Sequence, residues 1–179
     1  AELDPRAGWD RWRSERDRLF REHPQSPLPS RGREEFTGLD YFDYDPVHRV
    51  EARLEAVGRE SYEIATSGTE PMRFDRIGLF RFELAGRSCE LEAYWLSAYG
   101  GGVFVPFADA TSGKTTYGAG RYLLDTVKGS DLGASDDGVV LDFNFAYNPS
   151  CSYDPRWVCP LATPANRLAV AVEAGEKLS

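Results

Sequence analysis

From Leu39 onward the hydrophobic period of this chain changes to two, and that change limits the fold more than any other feature. Arg49 to Val57 sets Val50, Ala52, Leu54 and Ala56 against Arg49, Glu51, Arg53 and Glu55, the pattern of a half-buried strand. Tyr62 to Thr66 is a candidate partner across a turn at Gly58. Arg76 to Leu84 and Ser88 to Leu96 flank Ala85-Gly86-Arg87 and read as a hairpin. Val103 to Phe107 is a short apolar strand, and Val139 to Phe143 follows a turn at Asp136-Asp137-Gly138. Leu168 to Glu173 reads as a last strand. Short strands with turn signals between them predict a mainly β fold, an antiparallel barrel or sandwich of about eight strands.

The one helix precedes this pattern. Trp9, Trp12, Arg16, Leu19 and Phe20 recur at steps of three and four, which places the aromatics on one face. Asp4 and Pro5 supply a cap and a first helical position, and His23-Pro24 stops the helix. The run QSPLPSRG then reads as an extended connector. With no internal repeat and no separating linker, residues 1–179 are expected to form a single domain, with an amphipathic helix over 1–23 and a β domain over 39–179.

Composition excludes several classes of function. A net charge of −8 lacks the basic surface that displaces counterions from phosphates, so a nucleic-acid partner is not expected. No run reaches the length of about 18 apolar residues that a membrane span needs. No basic-then-apolar leader opens the sequence, and cytoplasm is the default location. An odd count of three cysteines argues against a full disulfide framework.

Two segments carry the chemistry. Phe107 to Tyr122 (FADATSGKTTYGAGRY) places glycines among hydroxyls, Lys114 and Arg121. Such a run either cradles an anion through exposed amides or makes a tight turn. It is not a nucleotide-binding loop, because position 108, where the first glycine of that motif belongs, holds Ala108. Leu141 to Leu168 holds Cys151 and Cys159, with four of the eleven prolines and several asparagines and aromatics. The seven-residue gap between the cysteines is too wide for a structural zinc pair, and no metal site is expected. The pair is left as free thiols, a disulfide, or a nucleophile with a partner; the histidines, His23 and His48, lie far upstream. Asp109 and Asp142 sit among apolar neighbours and need a partner. Arg121 is the obvious one, as a salt bridge or in an acid/base role.

The stretches PFADATSGKTTYGAGRYL and LDFNFAYNPSCSYDPRWVCPLATPANRL resemble a bacterial and archaeal family known as domain of unknown function 1684. The WDRWRSERDRLF opening, SPLP, GLDYFDYDP and the closing AGE are also similar. The resemblance implies a soluble, mostly β, single-domain protein and assigns no catalytic residue.

Three readings follow. The first is a small polar or anionic ligand held between loops 109–122 and 144–167 by Asp109, Tyr117, Arg121, Tyr122, Asn144, Tyr147 and Asn148. The second is a hydrolase or acyl transferase with Cys151 as nucleophile. The third is a structural or interaction module whose loops brace each other. Cofactor and oligomeric state are left open.

Overall fold

The computed structural model describes residues 4–95, 102–125, 134–135 and 138–178. Helix α1 spans Pro5–Glu22. The Asp4 carboxylate accepts from the Arg6 amide at 3.0 Å, and no β-branched residue interrupts the run. Trp9 and Phe20 are buried, whereas Leu19 stays 44% exposed, off the face that docks. A five-residue helix, α2 (Ser30–Glu34), occupies part of the expected connector, which is therefore not extended throughout.

Seven strands follow: β1 (Arg49–Ile64), β2 (Met72–Leu84), β3 (Arg87–Trp95), β4 (Val103–Phe107), β5 (Arg121–Asp125), β6 (Ala134–Ser135) and β7 (Gly138–Asp142). They form one antiparallel sheet in the order β5-β4-β3-β2-β1-β7-β6. Six of these have five or more residues and β6 has two, so the described residues hold seven strands where about eight are expected. Among the described residues the sheet curls into a half-barrel, with neither a closed barrel nor a second layer. Its core gathers Phe80, Phe82, Leu91, Val105, Phe107, Leu123, Leu141 and Phe143, so strands from both ends of the sheet face one interior.

The β2–β3 hairpin forms as the sequence predicts. Leu84 pairs with Arg87 across Ala85 and Gly86, both at positive φ, which matches the right-handed twist of the flanking strands. Gly58 does not turn the chain. β1 runs straight through it, and the register against β2 slips between Ala56 and Glu60, so Tyr62 to Ile64 belongs to β1 and is not a separate partner strand. β1 also changes neighbour. Arg49 to Ala52 pairs with β7, and from Arg53 onward the partner is β2. Only Ala52 of the predicted inward set is fully buried, while Leu54 is exposed, because the far half of β1 leaves the core.

Leu168 to Glu173 is not a strand. It keeps the alternation, with Leu168, Val170, Val172 and Ala174 buried in the core, but it joins no ladder. The Leu168 amide donates to the Ala108 carbonyl at 2.8 Å, and the Val170 carbonyl accepts from Ala110 at 3.1 Å. At Val172 and Ala174 side chains take over the bonding, as described below, and backbone bonds resume at Gly175, Glu176 and Lys177 with Phe42, Ala146 and Asp40. Asp136 and Asp137 of the expected turn, and the Leu96 end of the hairpin, lie outside the described residues.

Candidate functional site

The two segments singled out above do meet. Tyr122 and Tyr147 exchange backbone hydrogen bonds at 2.9 and 3.1 Å, and the Ala162 amide donates to the Ala119 carbonyl at 3.3 Å. Gly120, at φ +94°, lets the loops close, since a Cβ there would lie 2.5 Å from the Phe107 carbonyl oxygen and 2.7 Å from the Ala162 Cβ.

Most of the predicted ligand residues are buried in this seam and bonded to the chain itself. Arg121 is 1% exposed. Its Nη2 donates to Asp109 Oδ2 at 2.9 Å and to the Val172 carbonyl at 3.0 Å. Its Nη1 donates to the carbonyls of Ala174 and Glu176. Carbonyls two residues apart on an extended chain point the same way, so one guanidinium serves the C-terminal segment as a neighbouring strand would. Burial lowers the Arg121 pKa from the usual arginine value, and Asp109 offsets part of that. Asp109 Oδ1 accepts from the Thr111 amide and hydroxyl at 2.7 and 2.6 Å, and from the Val172 amide at 3.3 Å. The glycine-rich run is thus tied as a turn, with Thr111 and Thr116 hydroxyls 2.8 Å apart.

Asn144 brackets Asp45, accepting from its amide at 3.0 Å and donating to its carbonyl at 2.8 Å. It also donates to Asp142 Oδ1 at 2.8 Å. Asp142 therefore partners Asn144 and, at 3.8 Å, Arg49, and burial raises its pKa above the usual carboxylate value. The Asn148 amide donates to Glu176 Oε2 at 2.9 Å, and Tyr147 lies under the Arg16 guanidinium. The Tyr122 hydroxyl donates to the Pro160 carbonyl at 2.6 Å.

Tyr117 and Cys151 are different. Both are only half-buried, and the Tyr117 hydroxyl lies 3.9 Å from Cys151 Sγ. Cys151 sits on a 3-10 turn, Ser150–Ser152, and a further turn in which the Asp154 carbonyl accepts from Trp157 brings the chain back to Cys159. Cys159 is fixed to the exit of β1. The Ser67 amide donates to its carbonyl at 2.9 Å, and its own amide donates to Ser67 Oγ at 3.0 Å. The Ser67 hydroxyl donates to the Trp157 carbonyl at 3.1 Å and lies beside the Cys151 sulfur. Three loops thus converge on one sulfur.

The electrostatic consequence follows from that convergence. Hydrogen bonding by the Cys159 thiol lowers the Cys151 pKa most. Ser67 and Tyr117 add to it against the opposing effect of burial, and the thiol falls to about 6 from 9.0. Burial and the facing sulfur push Tyr117 up to about 12, so at neutral pH its hydroxyl keeps the proton it shares with the sulfur. Cys89, on β3, is buried elsewhere, and burial raises its thiol pKa. Neither histidine contributes. His48 Nδ1 lies 3.7 Å from Asp45 Oδ2, and His23 Nδ1 accepts from the Gln25 amide. None of the three cysteines is in a disulfide, and among the described residues no cluster of three or more His, Cys, Asp or Glu could hold a metal.

Ser67 and the role of Cys159 are not legible from the sequence. Ser67 lies in an ordinary turn after β1, and only the fold brings it to the 144–167 loop. Two surface concavities lie away from the seam. One of 580 Å³ opens where β1 leaves β2, over Val50, Phe82 and Cys89, rimmed by Glu51, Arg53, Arg81 and Glu83. The other, of 410 Å³, runs along α1 past Trp12, Arg16 and Leu19.

Fold and seam together define a half-barrel protein with a docked N-terminal helix and a cysteine-bearing loop pair. Residues 34–177 match the family described as "Protein of unknown function (DUF1684)", and the chain belongs to that family. It is similar to an uncharacterized protein from Haloarcula marismortui solved by solution NMR. The two are 35% identical over 96% of this chain and 93% of that one, with a TM-score of 0.69. No curated protein matches the chain. No helix among the described residues is long and apolar enough to cross a membrane.

Proposed function

We propose that the seam between loops 109–122 and 144–167 is a reactive-thiol site, in which Cys151 attacks a small electrophilic substrate. The observation that carries this reading is the convergence of Ser67, Tyr117 and Cys159 on one half-exposed sulfur. Hydroxyl and thiol donors around a sulfur favour its anion, and the anion is the nucleophile. A thiolate already formed at neutral pH needs no histidine base to activate it. Hydrolysis or acyl transfer through Cys151 is one use of such a sulfur.

Site-resolved alkylation of the native protein at neutral pH tests this reading. With iodoacetamide, Cys151 is expected to label at least ~10-fold faster than Cys89 or Cys159. Labelling of Cys151 no faster than buried Cys89 sinks it.

A second reading, binding of a small polar or anionic ligand, is favoured by the 580 Å³ cleft and not by Arg121, whose Nη groups are already bonded within the seam. In that cleft an apolar body would lie on Val50, Phe82 and Cys89, and an anionic group would face Arg53. An Arg53→Ala change that abolishes the thermal shift given by a hit from an organic-acid panel supports it; an unchanged shift removes it.

A further inference from the structure

The thiol reading leaves Cys159 without a chemical role, and the geometry gives it one. The two cysteines differ in ways that suit a division of labour. Cys151 is half-exposed on a short turn whose sulfur faces hydroxyl donors. Cys159 is 9% exposed and pinned by two hydrogen bonds to Ser67, with its thiol in hydrogen-bonding contact with Cys151. The outer sulfur can meet a small molecule and the inner one cannot. Once the outer sulfur is oxidised, however, the inner sulfur already lies beside it. The segment between them is short, so closing it costs little chain entropy beyond what the fold has already paid.

Resting on the thiol reading above, we infer that Cys151 and Cys159 form a two-cysteine redox pair that reduces a small hydroperoxide and closes to a disulfide. The Cys151 thiolate attacks the terminal oxygen of ROOH, a sulfur–oxygen bond forms and the O–O bond breaks. The alkoxide leaves and takes a proton from solvent, giving Cys151 sulfenic acid and ROH. The Cys159 thiol then attacks the Cys151 sulfur. A sulfur–sulfur bond forms, the S–O bond breaks, and the hydroxide leaves with the Cys159 proton as water. Sulfur loses two electrons and the peroxide gains them. An external dithiol returns two electrons and two protons and restores both thiols. Tyr117 and the Cys159 thiol hold the thiolate in place before attack. A small hydroperoxide is the class of substrate that suits a sulfur only half-exposed beside half-buried Tyr117.

Reduced full-length protein treated with a slight excess of hydrogen peroxide, then analysed by intact and peptide mass spectrometry, tests the inference. The expected result is a loss of about 2 Da, a Cys151–Cys159 linked peptide, an untouched Cys89 and full reversal by dithiothreitol. Cys159→Ser is expected to stop at the sulfenic acid, a gain of about 16 Da that dimedone traps at Cys151. Cys151→Ser is expected to leave Cys159 unoxidised. Progressive oxidation of Cys151 to sulfinic acid in the natural protein, with no disulfide, overturns the pairing. Iodoacetamide labels Cys151 quickly in that outcome, so the thiol reading survives it. Slow reaction of Cys151 with both reagents removes both.

Discussion

A guanidinium that is 1% exposed must find its partners inside the protein, and Arg121 finds them in Asp109 and three alternate carbonyls of the C-terminal segment. Removing it strands the Asp109 carboxylate and strips that segment of its nearest substitute for a ladder. Arg121→Met is expected to cost about 3–5 kcal/mol, read from the midpoint of urea unfolding. A loss under about 1 kcal/mol would mean that the segment is held by packing alone. Cys151 has a signature of its own. A thiol whose pKa is lower in the folded chain adds stability that is fully present above the ordinary value of 9.0 and is lost as pH falls through about 6. The difference in stability between the natural protein and Cys151→Ser should therefore grow from pH 6 to pH 9. A difference that does not change with pH would show that the folded thiol titrates like the unfolded one.

Elements carry the next set of constraints, and here sequence and structure part company for identifiable reasons. The cap at Asp4-Pro5, the stop at His23-Pro24 and the Ala85-Gly86 turn were open to reading because each acts through its own backbone geometry. The meeting of the two loops was readable as well, from their unusual composition. The strand expected at Leu168 to Glu173 fails for a different reason. Alternation reports which face is buried, and it says nothing about whether a strand, an arginine or an aspartate takes the hydrogen bonds. Gly58 misleads in a similar way, since a glycine that marks a turn and one absorbed by a bulge look alike in sequence. Ser67 was invisible because its hydrogen-bond partners Trp157 and Cys159 lie 90 and 92 residues away. Gly120 is where the loop-to-loop contact is least forgiving. Gly120→Ala places a Cβ against the Phe107 carbonyl at positive φ and should destabilise by about 2–4 kcal/mol in thermal unfolding. A change within experimental error would mean that the seam is looser than its distances state.

At the scale of the whole molecule, a half-barrel leaves its interior to be filled by something other than strands. The C-terminal segment does this with Leu168, Val170, Val172 and Ala174, and α1 ties that segment down. Arg16 Nη2 donates to buried Glu176 Oε2 at 2.8 Å, and its Nε donates to the Tyr41 hydroxyl at 3.0 Å. Trp9 Nε1 donates to the Asn144 carbonyl at 2.8 Å. Helix, C-terminal segment and the 144–167 loop therefore meet as one assembly, and the cysteine pair is carried on its edge. Trp9→Ala should cost about 3–5 kcal/mol and, by loosening that loop, slow the labelling of Cys151. Loss of stability with unchanged labelling would separate the helix from the site.

The central claim is that the fold holds Cys151 as a thiolate at neutral pH. Its most direct test is the alkylation rate of Cys151 followed by peptide mass spectrometry from about pH 4.5 to about pH 10 at constant ionic strength, a range that brackets the folded and ordinary thiol values. A single inflection near pH 6 is expected, moving toward 9 in Tyr117→Phe. An inflection near 9 in the natural protein, indistinguishable from that of the unfolded chain, would contradict it.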